Sequence, residues 1–562
     1  MKEYKKLLFF SFLLALIVAV PALIILAHIF VPSSQTWRHL EKTVLFLYAK
    51  NSLYIMLSVG FFTALIGFST AWLTSIYDFR FCKFLQYGLI LPFAFPTYIA
   101  GYIYSGMLGL NGSITHFILR LLGKKIYEVN FHDIMSLSGA IFVMSFVLYP
   151  YVYIVSKAYL KSESGAIIDA SKSLGLNMTQ IFFKVILPLA RPAIVAGLIL
   201  SVMESVSDYG MMTYYGVSTF VTGIFRTWLG AGSLDDASKL ASILMIVVFA
   251  LIYLEKTQRK NIKYKSSGKD YRPLVKIKLK GFKAFLAFGI CFVPFFLGFL
   301  LPFVQMCYWF LISYKEIINA SFEGIFYNTF FLALFSAFII TMLGLFFVYA
   351  IRRTNLRISE FFTSIVKLGY SIPGAVTAVG ILSFLAFFDN TLYEYLKNHF
   401  GYAIPFLLGG TIFALVFGYS VRMLAISINY FESGFEGIPK SYDDAGKTMN
   451  FSGLNMLKKI FIPLLKSSIF ASFIIVFIEV VKELPLTMIL RPFNFNTLAV
   501  ETFVLTGQAQ IIESAVPAMF IVLLGILSVI LLAKNMIKEQ DEFTTNKRFW
   551  HKFWQNPNPK EC

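Results

Sequence analysis

Two segments of the chain share one layout over 20 residues. Residues 169–188, the first duplicated segment, read DASKSLGLNMTQIFFKVILP, and residues 444–463, the second duplicated segment, read DAGKTMNFSGLNMLKKIFIP. Each begins with one acidic and two small residues and ends in aliphatic-x-aliphatic-proline. The seventh position holds Gly175 or Asn450, which tolerate the left-handed backbone of a turn, and the final proline presets a helix start. The layout predicts two helices joined by a turn, with small residues that let another protein's backbone approach.

The match between the two segments extends over most of the chain. Four pairs of matching positions are 277 residues apart, namely Asn51/Asn328, Gly67/Gly344, Arg80/Arg357 and Pro96/Pro373. Four further pairs are 275 residues apart, namely Asp169/Asp444, Pro188/Pro463, Glu204/Glu479 and Asp208/Glu483. An offset that changes by only two residues over such a length indicates an internal duplication.

The composition places the chain in a membrane. Of 562 residues, 58% are hydrophobic and 14% are charged, whereas soluble proteins carry about 25% charged residues. The net charge of +19, from 49 Lys and Arg against 30 Asp and Glu, lies between and beyond apolar runs. Basic residues there orient membrane spans and contact anionic lipid, so we expect membrane lipid and no nucleic acid as a partner. The cysteines show no disulfide or metal spacing.

Twelve apolar windows are long enough to cross the hydrocarbon layer. They are predicted near residues 8–30, 52–76, 86–108, 136–157, 192–212, 238–254, 284–309, 328–350, 364–387, 405–428, 467–488 and 514–533. The chain is therefore predicted to be an all-α polytopic membrane protein of about 12 transmembrane helices in two tandem six-helix repeats. Six spans give both repeats the same orientation, so their pseudo-twofold axis should run along the membrane normal.

A basic linker divides the predicted repeats. We expect the first repeat at 1–254, the linker at 255–283, the second repeat at 284–533 and a tail at 534–562. The linker carries eleven Lys or Arg, and an even number of spans per repeat places it and both termini in the cytoplasm. The N-terminal apolar run exceeds the length of an export signal and has no small-residue cleavage site, so it is interpreted as a retained span.

The duplicated segments resemble the EAA loops of ABC importer permeases, and a fused chain with two such loops resembles the ferric-iron, thiamine and phosphonate branches. The resemblance implies the type I importer permease fold and a transporter subunit rather than an enzyme. It also implies docking of two copies of a cytoplasmic ABC ATPase onto the two loops. The implied coupling residues are Asp169, Ala170, Ser171, Gly175, Leu187 and Pro188 in the first loop, and Asp444, Ala445, Gly446, Asn450, Ile462 and Pro463 in the second.

Two departures from the family pattern are conservative. Aspartate replaces the family's glutamate in both loops and keeps the charge, and Asn450 replaces a glycine with the next-best left-handed residue. The run Gly446-Lys447-Thr448 imitates the end of a phosphate-binding loop, but that loop requires glycine where this chain has Ser441, and a preceding buried strand. We therefore expect no cofactor on this chain, with ATP and Mg²⁺ bound by the partner subunits.

Two carboxylates lie late in the fifth span of each repeat, four in all. Glu204 and Asp208, like Glu479 and Glu483, are four residues apart and share one helix face. Acids at such depth are costly and normally face protein or a water-filled path. Carboxylate oxygens suit hard cations, so the four groups are candidate transient metal ligands on a translocation path. Alternatively they lie at the outer interface, paired with Lys482 or hydrated.

The sequence after these acids suggests the cargo. The runs KELP at 482–485 and LRPFNF at 490–495 are similar to a segment of ferric-iron permeases. This resemblance implies ferric iron as cargo, delivered by a periplasmic binding protein to a multi-pass protein of the bacterial inner membrane. Arg491 is a candidate path residue that binds an accompanying anion or a carboxylate of the delivering protein; alternatively it anchors a helix end.

Three alternatives remain. The chain could be an importer permease for thiamine or phosphonate. It could be a major-facilitator-type secondary carrier that couples transport to protons through Glu204 or Glu479, although that class does not require the long matched loops. A membrane-bound enzyme is the third, but no nucleophile–base pair or metal cluster accompanies it.

Overall fold

The structure, a computed structural model, describes residues 2–110, 112–124, 128, 133–260, 276–354, 357–401, 408–449, 451 and 453–531. Its first half contains helices α1 (Lys2–Ala27), α2 (Gln35–Thr43), α3 (Leu45–Ile76), α4 (Cys82–Gly88), α5 (Thr97–Leu108), α6 (Ser113–Leu122), α7 (Leu137–Ser173), α8 (Met178–Gln180), α9 (Leu187–Ser207), α10 (Gly210–Tyr214), α11 (Phe220–Phe225) and α12 (Leu234–Lys260).

The second half repeats this order. It contains α13 (Gly281–Phe295), α14 (Leu301–Ile317), α15 (Ala320–Thr354), α16 (Arg357–Ser371), α17 (Gly374–Phe400), α18 (Ile412–Glu436), α19 (Ser441–Thr448), α20 (Gly453–Met456), α21 (Ile462–Leu464), α22 (Lys466–Lys482), α23 (Pro485–Leu490), α24 (Leu498–Gly507) and α25 (Ile511–Leu531). Short 3₁₀ helices span His28–Phe30 and Leu91–Ala94, and π-helices span Ile181–Ile186, Arg226–Gly230, Phe296–Leu300 and Leu457–Phe461.

The helices confirm the predicted all-α membrane fold. Within the described part of the chain, ten helices are long and apolar enough to cross a membrane, and the number reaches twelve if each of two sharply bent helix pairs is one span. Four predicted spans are interrupted, two in each repeat, because helices end inside the windows 86–108, 192–212, 364–387 and 467–488. The helix predicted over 364–387 breaks between α16 and α17 at Pro373, which cannot donate an N–H to a helix and restricts the residue before it. The helix predicted over 467–488 ends at Lys482, where Glu483 takes an extended conformation.

Equivalent helices pack through equivalent glycines. A Cβ on Gly67 of α3 would lie 2.7 Å from Val152 Cβ of α7, and a Cβ on Gly344 of α15 would lie 2.8 Å from Ser427 Cβ of α18. Small residues at such points let helix backbones approach closely, which is the usual basis of helix association in a bilayer. The matched glycines therefore fix the same helix pair in both halves.

Each half packs its first helix against the other half. A Cβ on Gly380 of α17 would lie 2.6 Å from the Pro21 carbonyl oxygen of α1. In return, the rings of Phe295 and Phe84 lie 5.6 Å apart and join α13 to α4. The predicted boundaries at residues 254 and 284 therefore divide the sequence but not the packing.

The two duplicated segments lie at the same end of the bundle. The first segment begins in the last turns of α7, and its Phe182 ring lies 5.1 Å from the ring of Trp72 near the C-terminus of α3. The strands Tyr77–Asp78 and Ile277–Lys278 pair in parallel there, so α13 starts at this end, α14 finishes at the opposite end and α15 returns. The C-terminus of α15 contacts α19, which carries the start of the second segment, through Arg352 and Asp443. The predicted tail, residues 534–562, lies outside the described residues. So do residues 261–275 of the predicted linker.

Candidate functional site: two exposed loops and a central cavity

The first duplicated segment begins on α7 and turns at a left-handed glycine. Gly175 has φ +81°, and the Leu176 N–H donates to the Ser171 carbonyl at 3.2 Å, which closes the helix end as a Schellman-type cap does. Asp169 and Ala170 are exposed, whereas Ser171 is buried and donates its hydroxyl to the Ile167 carbonyl at 2.7 Å. The acid and the first small residue therefore face outward, and the second small residue faces inward.

The second duplicated segment repeats this exposure pattern on α19. Asp444 and Ala445 are exposed and Gly446 is buried. Lys447 donates to Asp444 at 2.8 Å, and this hydrogen bond lowers the pKa of the Asp444 carboxyl. Asn450, the predicted turn residue, lies outside the described residues.

The buried small residue serves the loop itself. A Cβ on Gly446 would lie 2.7 Å from Met456 Cε and 2.9 Å from Ile460 Cδ1, side chains of the helix that returns to the membrane. Small size at Gly446 thus lets the two helices of the loop pack together. Of the two small residues that follow each acid, only the first, Ala170 or Ala445, is exposed to a partner. The closing pairs Leu187–Pro188 and Ile462–Pro463 lie on the returning helices. Pro463 is exposed, whereas the other three residues are partly buried.

A matched pair of exposed apolar side chains was missed by the sequence reasoning. Leu174 is 81% exposed and Met449 is 64% exposed, and these residues are 275 positions apart. Each directly precedes the turn residue on a segment whose neighbours are mostly polar. The signal was available as an apolar residue recurring at the sixth position of both segments, and it marks each loop as a candidate contact surface.

A cavity of about 70 Å³ lies between the halves. Its lining comes from both repeats and includes all four predicted carboxylates together with Pro96, Thr97, Tyr98, Tyr151, Tyr370, Arg422 and Lys482. A cavity of this volume has room for a few water molecules. Residues of the two halves that correspond in sequence thus meet at one central site.

Asp208 and Glu483 occupy equivalent places where α9 and α22 end. Asp208 accepts the Met211 N–H at 2.8 Å, and Glu483 accepts the Leu486 N–H at 3.2 Å. Each carboxylate thereby caps the short helix that follows it, α10 or α23, as acidic side chains at helix N-termini do. Both are also nearly fully buried, so a structural task accompanies any role in transport.

The other partners of these two acids differ between the halves. Asp208 accepts a short hydrogen bond from the Thr97 hydroxyl. Glu483 instead forms an ion pair with Arg422, with Nη1 and Oε1 2.6 Å apart. Position 374, which corresponds to Thr97, is glycine, and a Cβ there would overlap Arg422 Nη1 and lie 2.6 Å from Glu483 Oε1. Gly374 therefore leaves the room that the ion pair occupies.

Glu204 and Glu479 face the cavity one helical turn earlier. Glu479 pairs with Lys482, whose Nζ lies 2.7 Å from Oε1, and Lys482 also lies 5.4 Å from the Phe93 ring of the other half. Glu204 makes no hydrogen bond or ion pair with the residues that the structure describes. Four carboxylates and two cations leave a formal charge of −2, and the first half contributes no cation among these six groups.

Arg422 is a central residue that sequence reasoning missed. It is 8% exposed and lies on α18 where the first half has Val147 at the corresponding position. An isolated arginine inside an apolar span is by default a functional candidate, and this signal was present in the predicted span 405–428.

Arg491 lies away from the cavity lining. Its guanidinium donates to the Asn496 side chain, and Asn496 in turn donates to Glu501 at 3.0 Å. This arrangement ties the loop after α23 to the start of α24, as the alternative of a helix-end anchor requires.

The carboxylates do not form a closed metal site. Among the described residues, no three His, Cys, Asp or Glu side chains are grouped so that they could hold a metal ion.

Comparison with known proteins agrees with the arrangement. Residues 117–254 and 340–539 match the family described as binding-protein-dependent transport system inner membrane component, and each matched region contains one duplicated segment. A protein named Fe(3+)-transport system permease protein FbpB 2, from Haemophilus influenzae, is 22% identical over 497 residues, covering 87% of this chain and 90% of that protein.

Two further relatives are named for ferric iron and for sulfate, respectively. The protein named ferric transport system permease protein FbpB, from Actinobacillus pleuropneumoniae, is 23% identical over 76% of this chain and 62% of its own length. The sulfate transport system permease protein CysT of Escherichia coli is 26% identical over 32% of this chain and 62% of its own length. The family match covers more than half of the chain and confirms the resemblance of the duplicated segments to importer permeases. The chain belongs to the family of inner membrane components of binding-protein-dependent transport systems.

Proposed function

We propose that this chain is the permease of an ATP-driven importer for ferric iron and that both halves line its pathway. The observation that carries the cargo assignment is the central cavity, which is small and formally negative and receives carboxylates from both halves. Hard cations prefer such oxygen ligands. The relatives that align over most of the chain are named as ferric permeases, whereas the sulfate permeases align with about a third of it. A net charge of −2 also opposes an oxyanion more than a cation.

The two duplicated segments are the proposed docking sites for two copies of a cytoplasmic ABC ATPase. Support comes from their common end of the bundle, their exposed acid–alanine pairs and the exposed Leu174 and Met449. In this proposal both termini and the linker share the cytoplasmic side with the segments. ATP and Mg²⁺ bind to the ATPase subunits, and this chain binds no cofactor.

A periplasmic iron-binding protein is the proposed donor at the opposite end. Binding of the loaded donor would favour closure of the ATPase pair, which would pull on both segments and open the cavity outward. Hydrolysis would then return the cavity towards the cytoplasm. Only a difference in affinity for the two states can drive such a change, so the donor and ATP must both prefer the outward-open state.

Reconstitution in proteoliposomes tests the proposal. The chain is purified with its ATPase, and hydrolysis is measured with the binding protein loaded with ferric iron, with sulfate or thiamine, or empty. We expect iron-loaded donor to raise hydrolysis and iron uptake together. If only sulfate or thiamine stimulates hydrolysis, ferric iron is not the cargo. If uptake proceeds without the ATPase and stops when a proton uncoupler is added, the chain is a secondary carrier and not an importer permease.

A matched pair of variants tests the docking sites. Asp169→Lys combined with Asp444→Lys reverses charge on both exposed faces, and we expect it to reduce ATPase co-purification. Lys124→Asp, two residues beyond α6, is the control for charge reversal at an exposed position outside the segments. Normal co-purification with both segments altered would contradict the docking proposal.

A further inference from the structure

The two duplicated segments are joined to the membrane helices differently. In the first half, α7 runs unbroken from Leu137 to Ser173 and carries the start of its segment. In the second half, α18 ends at Glu436 and a separate α19 starts at Ser441. Pro439 explains this break, because proline removes an N–H donor and disfavours helix at the residue before it.

The returning helices differ in the same way. In the first half, residues Met178 to Ser207 form one continuous membrane-spanning helix. In the second half, the helix that ends at Leu464 and the helix that starts at Lys466 are bent by 82° relative to each other. The second duplicated segment is thus jointed at both ends, and its position must be set by other contacts.

Arg352, near the C-terminus of α15, makes these contacts at the first joint. Its Nε and Nη2 donate to Asp443 Oδ2 of α19 at 3.0 and 2.6 Å. Its Nη1 donates to the Phe435 carbonyl at 2.7 Å and its Nη2 to the Ile438 carbonyl at 3.0 Å. The guanidinium also lies 5.2 Å from the Phe435 ring and 5.3 Å from the Phe461 ring, so one side chain joins four parts of the loop.

Tyr349, one turn earlier on α15, holds the other side of the segment. Its hydroxyl donates to the Gly453 carbonyl at 2.7 Å, and its ring lies 5.7 Å from that of Phe461. The end of α15 therefore contacts both α19, where the second duplicated segment begins, and the helix that leads from the segment back to the membrane.

The corresponding positions of the first half carry uncharged side chains. Position 75, which corresponds to Arg352, is a buried serine whose hydroxyl has no hydrogen-bond partner among the described residues. Position 72, which corresponds to Tyr349, is a tryptophan whose ring packs 5.1 Å from that of Phe182. We call the contacts of Arg352 and Tyr349 with the second segment the clamp. In the first half, the unbroken helix α7 takes the place of this clamp.

We propose that Arg352 is a positioning residue that makes α15 and the second duplicated segment move as one body, whereas the first segment moves as an extension of α7. The inference rests on the proposed function, because the segments matter for transport only if the ATPase docks on them. Arginine suits the task because its planar group presents five donors in a fixed fork, which the point charge of lysine cannot reproduce.

Hydrogen–deuterium exchange of the purified full chain, without ATPase, tests the clamp. We expect Arg352→Ala to speed exchange at residues 445–449 at least tenfold, which is about 1.4 kcal/mol, and to leave residues 169–173 unchanged. Arg352→Lys should give an intermediate rate, and Ser75→Ala, the matched control, should change neither segment. Asp443→Asn provides a second variant that retains the bonds to carbonyl groups.

Two outcomes would overturn the inference. One is unchanged exchange at 445–449 in Arg352→Ala while residues 421–428 of α18 remain protected as in the wild type. The other is an equal acceleration in both segments, which would indicate general loosening. If the exchange result is as expected but wild-type chain recruits no ATPase, the proposed function fails and the clamp stands.

With the ATPase present, a second readout separates positioning from docking. Arg352→Ala should lower the maximal donor-stimulated hydrolysis at least fivefold, while the ATPase concentration for half-maximal stimulation changes less than twofold because the exposed docking faces remain. A change in that concentration with an unaltered maximum would assign Arg352 to docking and refute the positioning role.

Discussion

A single methyl group at Gly374 is expected to separate the buried Arg422–Glu483 pair. In Gly374→Ala the new Cβ would lie 2.6 Å from Glu483 Oε1 and overlap Arg422 Nη1, so the guanidinium must move. Overpacking typically costs about 1–3 kcal/mol, and loss of a hydrogen bond between charged groups costs about 1.5–3 kcal/mol. Since part of the strain is relieved when the pair opens, we expect a loss of about 2–4 kcal/mol in the free energy of unfolding.

The assay is reversible unfolding of the purified chain in mixed micelles, followed by circular dichroism. Gly324→Ala is the matched control, because a Cβ at this helical glycine meets nothing within 4 Å, and alanine there should be neutral or stabilising. In an Arg422→Gln background the shorter side chain accommodates the methyl group, so Gly374→Ala should cost less than about 1 kcal/mol. Equal stability of the alanine variants at positions 374 and 324 would refute the steric reasoning.

Three further predictions address the loops and the cavity. Leu174→Asp combined with Met449→Asp should weaken ATPase co-purification about tenfold, or about 1.4 kcal/mol. The control is Leu121→Asp, at a leucine that is 72% exposed on α6, and it should leave co-purification unchanged. An equal loss in the double variant and in the control would indicate a general solubility effect. Glu204→Gln should lower the initial rate of iron uptake about tenfold. The unfolding midpoint should stay unchanged, because this carboxylate has no hydrogen-bond or ion-pair partner among the described residues. A lowered midpoint with normal uptake would show that Glu204 has a structural role instead. Thr97→Val removes the hydroxyl donor to Asp208 and should destabilise the chain by about 1.5–3 kcal/mol in the same unfolding assay, and a change below about 0.5 kcal/mol would contradict a structural role for that bond.

Much of the fold follows from periodicity along the chain. Apolar windows of span length and the constant offsets between the halves predict the repeats, since each requires only local composition. The meeting of Glu204 and Glu479 at one cavity also follows from duplication, because matched residues approach each other around a pseudo-twofold axis. Their contact with cargo stays a prediction.

The features that escaped prediction depend on contacts between distant residues. Nothing local to Arg422 indicates that Gly374 leaves space for its ion pair with Glu483. The matching motif implies equal loops, yet Pro439 and Arg352 make the second loop a separate clamped body. Hydropathy likewise gives the number of spans but not their neighbours, so the placement of α1 beside α17 required the three-dimensional structure.

The exchanged first helices have a consequence for biogenesis. During synthesis α1 enters the bilayer long before α15, α16 and α17, which form its final neighbours, so it must wait at the lipid boundary until the C-terminal half is inserted. The N-terminal half made alone would expose the surface that α1 should share with those late helices and would lack the cover that α13 and α14 supply. Two separately expressed halves should therefore mature only when made together, each completing the other.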